Sequence, residues 1–580
     1  MAVTSAGLVP YPTDLVERYR ADGVWGGHTI VEELRATAKR FPDHLALATP
    51  ADRWTYRELV EKVDAVAAGV VRAGLAPGDP IIMQITNGAL GVAAWYGILA
   101  AGLIPVCTLA IHRSQEIGQI AGLTGAVAHL VQADFPKFDL VQFALDMRAE
   151  NPVLATLLTI GASADQPGTR IEDLVAQPPT DAELEHLAAI ARETDLAQPA
   201  IYQLSGGTTG IPKVIPRLHE EYWYNARSTV EWWGLDHTDR LGFALPLVHN
   251  AAIANALFGA HSIGAALLLG LPPAAVMLPL MVREKATWML ASPGMMIEYQ
   301  THPDFAEAFS DFKTVVMSAA RVDRPLFDEL EAKGIRVTQA FGMTEGMFLF
   351  TPRDGATDLR ASTIGMPISP YDEVRLYQPD TEIEVAPGEP GELCVRGPYT
   401  IRGYLNAPER NAQAFTADGF YRSGDIAVYR QFGDEWSYSL EGRVKDLINR
   451  GGEKINAEEI EITLMAHPSI REVALVAMPD ARLGERACAF IVLAPGVPGI
   501  ELSEIAEFLE LAGLAKFKWP ERIETIDELP RTQIGKIAKA ALREQVAGGI
   551  AAPRAMLPTP QIELHTINIS SESPVIRREQ

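Results

Sequence analysis

The residues best suited to chemistry start at Leu204-Ser-Gly-Gly-Thr-Thr-Gly-Ile-Pro-Lys-Val-Ile-Pro216. Ser205, Gly206, Gly207, Thr208, Thr209 and Gly210 carry almost no side-chain bulk. Backbone N–H groups can therefore approach an anion closely, and the hydroxyls add donors. Lys213 places a positive charge at the far end, and a polyphosphate fits that arrangement. The spacing is not that of a P-loop, which needs the lysine directly after the glycine. Three further positions suit the same ligand. Glu345, in Phe341-Gly-Met-Thr-Glu345, reads locally either as a Mg²⁺ ligand beside phosphates, since that hard cation prefers oxygen, or as a helix-capping carboxylate. Asp425, after the small-residue turn of Tyr421-Arg-Ser-Gly-Asp425, reads as an acceptor for ribose hydroxyls or as an Asx-turn cap. Lys536, in Pro530-Arg-Thr-Gln-Ile-Gly-Lys536, reads by itself as a solvated lysine in a terminal loop.

These positions need rigid elements behind them. Val31, Leu34, Ala38 and Phe41 give one helical face, and Leu45–Ala48 is a brief strand. Thr55 is the N-cap of a second helix, with Glu58 three residues on as its capping-box partner. Pro80–Gln84 and Ile104–Cys107 read as strands around an apolar helix from Gly88 to Ala101. Alternating strands and helices predict parallel, doubly wound sheet, whose ligands bind beyond the strand carboxyl ends. Ala200–Leu204 is strand-like ahead of the glycine loop. Leu241 to Leu247 reads as a strand ending at His249-Asn250. Thr314–Met317 and Arg336–Gln339 are further strands, ending in Ser318-Ala-Ala-Arg321 and in Ala340 to Glu345. From Tyr371 the pattern alternates with Gly and Pro turns, predicting a small antiparallel β subdomain. A compact α+β domain follows, from about Asp446 to Ala547.

At 580 residues the chain exceeds one ordinary core, so at least two domains are expected. With 48% hydrophobic and 21% charged residues it reads as a globular protein. A net charge of −24 argues against nucleic acid as a partner, because phosphate backbones are bound through excess Lys and Arg. Cys107, Cys394 and Cys488 are far apart and in apolar settings, which predicts buried thiols rather than disulfides or a zinc site. The N-terminus lacks the pattern of a signal peptide, so the cytoplasm is expected. Arg240 to Arg283 is free of formal charge between its ends, but its prolines, asparagines and histidines argue against a membrane span.

The glycine loop resembles the phosphate loop of the adenylate-forming superfamily: acyl- and aryl-CoA ligases, peptide-synthetase adenylation domains and luciferases. The strings at Glu345, Asp425 and Lys536 match its other motifs in the same order. The resemblance implies ATP and Mg²⁺ as cofactors. It implies that Glu345 binds the metal, Phe341 lies beside the adenine within a nucleotide pocket that includes Ala320, Gly342 and Thr344, and Asp425 holds the ribose with Arg443 in a similar role. Lys536 would bridge the substrate carboxylate and the α-phosphate. Lys445 matches the hinge about which the small domain rotates. Gly451-Gly452 match the loop lining a thioester-forming tunnel.

The nearer resemblance is to stand-alone aryl-acid adenylating enzymes of the 2,3-dihydroxybenzoate–AMP ligase type. It is carried by Gln203-Leu-Ser-Gly-Gly207, Pro246-Leu-Val-His-Asn250, Pro370-Tyr-Asp372, Arg396-Gly-Pro-Tyr-Thr-Ile-Arg-Gly-Tyr404 and Ile448-Asn-Arg-Gly-Gly-Glu-Lys454. It assigns His249 to catalysis and Asn250 to hydrogen-bonding an ortho hydroxyl of the acid; the amide itself can pair with an ortho hydroxyl or an ortho amine. Ala251, Asn255, Ser318, Ala340 and Phe348 complete the acid pocket. Ala251-Ala252 replace the usual Tyr-Pro, Asn255 stands where a serine meeting a 3-hydroxyl is common, and Phe348 replaces a small aliphatic residue. The pocket is thus rearranged, which leaves open whether the acid is salicylate, anthranilate, a dihydroxybenzoate or a heteroaromatic or bicyclic acid.

The expected architecture is α/β: residues 1–444 as a core of doubly wound sheets with a β subdomain, 445–547 as a mobile α+β domain, and 548–580 as an extended or disordered tail. The expected function is ATP-dependent activation of an ortho-substituted aromatic acid to aryl-AMP. Transfer to the phosphopantetheine thiol of a separate carrier protein follows, since too little chain is left after residue 547 to fold a carrier. Neither nucleic acid nor membrane is an expected partner. The rivals are a CoA ligase using the same first half-reaction and a non-catalytic nucleotide-binding regulator; Lys536 and Glu345 together speak against the second.

Overall fold

The computed structural model describes residues 7–205, 213–318, 322–450, 453–480, 483–512, 514, 516–531 and 537–547. The chain divides into two compact units between Lys445 and Asp446.

In the first unit, local signals in the sequence set the elements. Thr55 and Glu58 form the reciprocal cap of helix Tyr56–Arg72, with Thr55 N and Oγ1 both donating to Glu58 Oε2 (2.7 and 2.9 Å). Helix Ala89–Ala100, wholly apolar, is buried except at the half-buried Leu90. One seven-stranded sheet runs in the order Thr169–Arg170, Thr156–Ile160, Ala128–Gln132, Pro80–Gln84, Ile104–Cys107, Ile201–Ser205 and Lys213–Arg217. It is parallel until its last pair, an antiparallel hairpin in which Ser205 faces Lys213. A nine-stranded sheet has a parallel centre (Val337–Met343, Thr314–Met317, Trp288–Ala291, Arg240–Phe243, Ala266–Leu269, Leu45–Ala48) and antiparallel pairs at both margins. A four-stranded antiparallel sheet follows: Glu373–Tyr377, Gly391–Arg396, Tyr421–Phe432 and Glu435–Arg443.

Three expected boundaries move. The strand from Leu241 stops at Phe243, because the next stretch is held by a side chain instead of a strand: Asn87 donates to the Leu245 and Gly270 carbonyls (2.9 and 2.8 Å) and accepts from Leu247 N (2.8 Å). The strand expected to end at Gln339 continues to Met343, since it turns back as a hairpin onto Met347–Phe350. Asp425 does not follow a turn but sits inside the strand Tyr421–Phe432, where Gly424 at φ +72° and a bulge after Ile426 bend the strand without ending it.

The uncharged stretch forms strand Arg240–Phe243, the helical run Asn250–Ile263, strand Ala266–Leu269 and helix Ala274–Glu284. Among the described residues no helix is long and apolar enough to cross a membrane. All three cysteines are free and buried. The second unit is a five-stranded sheet (Glu453–Asn456, Leu447–Arg450, Gly484–Leu493, Ile470–Asp480, with Arg522–Thr525 beside Gly484–Leu493) under helices Ala457–Met465, Leu502–Leu511 and Lys539–Ala547.

Candidate functional site

The strand Lys213–Arg217 leads straight into helix His219–Trp233, whose first turn carries Glu221 and Tyr222. Arg217 and Glu221 are a bidentate pair (2.8 and 2.7 Å) with side chains 0% and 1% exposed. Although burial works against the guanidinium's charge, the Glu221 carboxylate outweighs it and holds the Arg217 pKa above its usual value. The remaining Arg217 nitrogen, Nη1, donates to Asn250 Oδ1 (3.0 Å) and to the Thr344 carbonyl (3.1 Å).

This fixes which way Asn250 faces. A guanidinium only donates, so the atom facing it is the amide oxygen. Tyr222 OH donates to that same oxygen at 2.7 Å and itself accepts from Gln203 Nε2 at 3.2 Å. Both lone pairs of Oδ1 are taken. The amide's NH₂ is left with one long contact, 3.5 Å to the Met343 carbonyl, and Asn250 therefore offers a donor.

Past Ala251 and Ala252 the helix widens into a π turn over Ile253–Leu257, a distortion frequent at functional sites. Asn255 lies in it, 3% exposed; its Nδ2 donates to the Ala251 carbonyl (3.0 Å), while Oδ1 is buried with no partner among the described residues. Phe348 is buried in the strand Met347–Phe350, stacked against Phe350 with centroids 5.4 Å apart, and Phe350 stacks on Trp233 at 5.0 Å. A Cβ on Gly342 would lie 2.4 Å from the Phe348 ring, so the bulky Phe348 requires the glycine across the hairpin. Ala340 and Phe341 are half-buried in the same hairpin, and Ser318 begins the segment after strand Thr314–Met317 with its N–H on the Ala291 carbonyl (3.0 Å). His249 keeps much of its surface accessible, yet desolvation, with a smaller contribution from His112, lowers its pKa.

The hairpin's turn carries Glu345, and three contacts hold it. Ile401 N donates to the Glu345 carbonyl (2.9 Å) and Thr400 Oγ1 to the Gly346 carbonyl (2.7 Å). Gly346, at φ +91°, lies so close to the Tyr399 carbonyl that a Cβ would be 1.7 Å from it. The Glu345 side chain is 7% exposed; Oε1 accepts from Tyr404 OH at 2.7 Å, and Tyr404 OH lies 3.0 Å from Tyr421 OH. Lys213 Nζ donates to Tyr404 OH at 3.4 Å and stands 4.8 Å from that ring's centre. Burial lowers the Lys213 pKa, opposed by the Glu345 charge. Among the described residues no group of three or more His, Cys, Asp or Glu side chains could hold a metal. One buried carboxylate is nevertheless what Mg²⁺ uses when substrate phosphates and water complete its shell, so Glu345 fits that ion.

Asp425 and Arg443 face each other across neighbouring strands with Oδ1 and Nε 2.9 Å apart. Ser205 closes the other hairpin, its Oγ buried without a partner among the described residues. Gly206, Gly207, Thr208, Thr209, Gly210, Ala320, Gly451, Gly452, Lys536 and residues 548–580 lie outside the described residues. Lys445 is in the 3₁₀ turn Val444–Asp446, where the two units divide. Reading the sequence gave no role to Arg217, Glu221, Tyr222, Tyr404 or Tyr421. The signal at hand was the Arg-x-x-x-Glu spacing, with Tyr404 and Tyr421 already standing in the quoted strings.

The family model described as AMP-binding enzyme matches residues 34–405, and that of the AMP-binding enzyme C-terminal domain matches residues 459–536. The 2,3-dihydroxybenzoate-AMP ligase of Bacillus subtilis is 36% identical over 550 residues, 94% of this chain and 99% of the relative. The salicyl-AMP ligase / salicyl-S-ArCP synthetase of Mycobacterium tuberculosis is 35% identical over 565 residues, 94% and 95% of the two chains. Among solved structures, apo MbtA of Mycobacterium smegmatis superposes with TM-score 0.69 at 33% identity, covering 93% of this chain and 99% of that one.

Proposed function

The chain belongs to the AMP-binding enzyme family, and from that premise we propose that it activates an ortho-hydroxylated aromatic carboxylic acid with Mg·ATP, releases pyrophosphate, and passes the aryl group to the thiol of a separate phosphopantetheinylated carrier protein. The reaction is placed in the cytoplasm, where ATP is abundant. The observation that carries the reading is the orientation of Asn250, locked as a donor by Arg217 and Tyr222. In a salicylate-type acid the ortho hydroxyl gives its proton to the neighbouring carboxylate and keeps lone pairs free. Those lone pairs are what the Asn250 NH₂ requires. An aniline nitrogen, whose lone pair is delocalised into the ring, is a poor acceptor there. The ortho-hydroxyl and ortho-amino options that the sequence leaves open are thereby narrowed to the first. The relatives from Bacillus subtilis and Mycobacterium tuberculosis, named for 2,3-dihydroxybenzoate and salicylate, support the same choice.

In this reading Lys213 meets the polyphosphate, and Asp425, fixed by Arg443, accepts the ribose hydroxyls. Glu345 would hold Mg²⁺, which when bound offsets phosphate charge. The acid's carboxylate oxygen bonds to the α-phosphorus as the bond to pyrophosphate breaks; Lys536 stabilises the crowded anions electrostatically. The thiol then attacks the aryl carbonyl and AMP leaves.

The test is acid-dependent ATP–pyrophosphate exchange with salicylate, 2,3-dihydroxybenzoate, 2-aminobenzoate and benzoate, followed by an acceptor assay of carrier protein against CoA. Ortho-hydroxy acids should lead and the carrier should be the better acceptor. Exchange with none of these acids would overturn the activity, and preferential use of free CoA would overturn the acceptor.

A further inference from the structure

Lys213 and Glu345 both contact the hydroxyl of one phenol and do not pair directly. Tyr404 OH accepts from Lys213 Nζ at 3.4 Å and lies 2.7 Å from Glu345 Oε1. The ring is 1% exposed, and the lysine rests over its face with Nζ 4.8 Å from the centre. Asn411 Oδ1 accepts from Tyr404 N at 2.8 Å and its Nδ2 donates to the Tyr404 carbonyl at 3.0 Å, so the backbone on which the phenol is mounted is fixed. Tyr421, 5% exposed, fixes the hydroxyl itself from 3.0 Å.

An ammonium and a carboxylate on one phenol, the carboxylate buried and the lysine half-buried, attract each other strongly. Direct contact would cancel the lysine's charge toward phosphate and cover the carboxylate's approach to a cation. We propose that Tyr404 is a positioning residue that works as a spacer: its hydroxyl occupies the gap between Lys213 and Glu345, satisfying both while keeping each available for its own part of a metal–polyphosphate ligand. Tyr421 is its anchor, holding the hydroxyl in the gap. This rests on the reading of Glu345 as the Mg²⁺ ligand and not on which acid is activated.

The experiment measures Mn²⁺ binding, by loss of free-ion paramagnetic resonance, to the protein with α,β-methylene-ATP and no aromatic acid. Tyr404→Phe should weaken Mn²⁺ binding by about 10–100-fold, as losing a group that orients a metal ligand typically does. The decisive comparison is Lys213→Met in two backgrounds. In the native background it should weaken binding, because a phosphate contact is lost. In the Tyr404→Phe background it should restore binding, because it removes the ammonium that has collapsed onto Glu345. If Tyr404→Phe does not fold, Tyr421→Phe with and without Lys213→Met provides the same comparison with a smaller initial loss. Native-like binding by Tyr404→Phe, or the same effect of Lys213→Met in both backgrounds, overturns the spacer. Because no acid is present, these outcomes are independent of the pyrophosphate-exchange panel. Native protein that binds Mn²⁺ no better than Glu345→Gln would instead remove the metal assignment beneath the proposal.

Discussion

Asn250→Asp is the sharpest perturbation of the acid site, because it changes the hydrogen-bonding sense of one atom and little else. Arg217 Nη1 at 3.0 Å and Tyr222 OH at 2.7 Å hold Asn250 Oδ1, and they would hold a carboxylate oxygen equally well, with Arg217 compensating the added charge. The other terminal atom turns from an NH₂ donor into an oxygen acceptor. An ortho hydroxyl whose proton is committed to its own carboxylate then meets a lone pair instead of an N–H. Leaving a buried polar group unpaired costs roughly 1–3 kcal/mol. At 1.4 kcal/mol per decade this is about a 5- to 150-fold loss in kcat/KM for salicylate. 2-Aminobenzoate, whose N–H groups now find an acceptor, should lose less or gain, and the ratio of salicylate to 2-aminobenzoate activity should fall. Benzoate has no ortho group and should change least in relative terms. The assay is pyrophosphate exchange with the three acids, native against variant. The reasoning is refuted if the native protein uses salicylate and 2-aminobenzoate equally, or if the variant loses all three acids by one common factor.

Other residues give outcomes that separate the steps. Lys536→Ala should cut adenylation by about 10²–10³ while thioester formation from preformed aryl-AMP suffers much less; equal loss in both contradicts its proposed role. Lys445→Pro should leave adenylation intact and block transfer to the thiol, since proline fixes a dihedral that a hinge must change; unimpaired transfer shows a plain linker. Ala251→Tyr should shift preference from larger or bicyclic ortho-hydroxy acids back toward 2,3-dihydroxybenzoate in the same exchange panel; an unchanged ranking means Ala251 does not shape the pocket. Burial lifts the Asp372 pKa to about 8, while an unfolded aspartate titrates near about 4. The folded chain therefore keeps a proton that the unfolded chain gives up, so this group's stability contribution is complete below pH ~4 and is lost as pH rises toward ~8. Asp372→Asn should flatten that decline in melting temperature; an identical pH profile shows that another group causes it.

Signals that act over a few residues were legible in the chain. Thr55 and Glu58 announce a helix start because both partners of the cap lie within one turn, and the fold uses them so. The strand behind the glycine loop and the acid at Glu345 were likewise readable where they stand. What hid was everything fixed by register or long-range packing. Asp425 looked like a turn residue because Ser423 and Gly424 precede it; only pairing with Glu435–Arg443 makes the segment a strand and sets Arg443 opposite the carboxylate. Tyr404 lies 191 residues from Lys213 and 59 from Glu345, so no local pattern could reveal its position between them. Asn250 is singled out by its string, but whether it presents its oxygen or its NH₂ depends on Arg217, 33 residues away.

In the proposed reading Arg217, a side chain that need not touch substrate, decides what the site accepts. Spaced four residues before Glu221, it resembles an ordinary surface ion pair, yet both side chains are almost wholly buried. Such burial is expensive unless every donor is used. Here Nε and Nη2 are matched by the two Glu221 oxygens, and Nη1 by Asn250 Oδ1 and the Thr344 carbonyl. A lysine could offer charge but not this planar set of donors. The geometry that satisfies the guanidinium is also the geometry that turns the Asn250 amide outward as a donor and tethers the turn carrying Glu345. In the proposed reading, recognition of the acid and placement of the carboxylate assigned to Mg²⁺ share one node, and the ion pair's cost is offset by contacts that serve both.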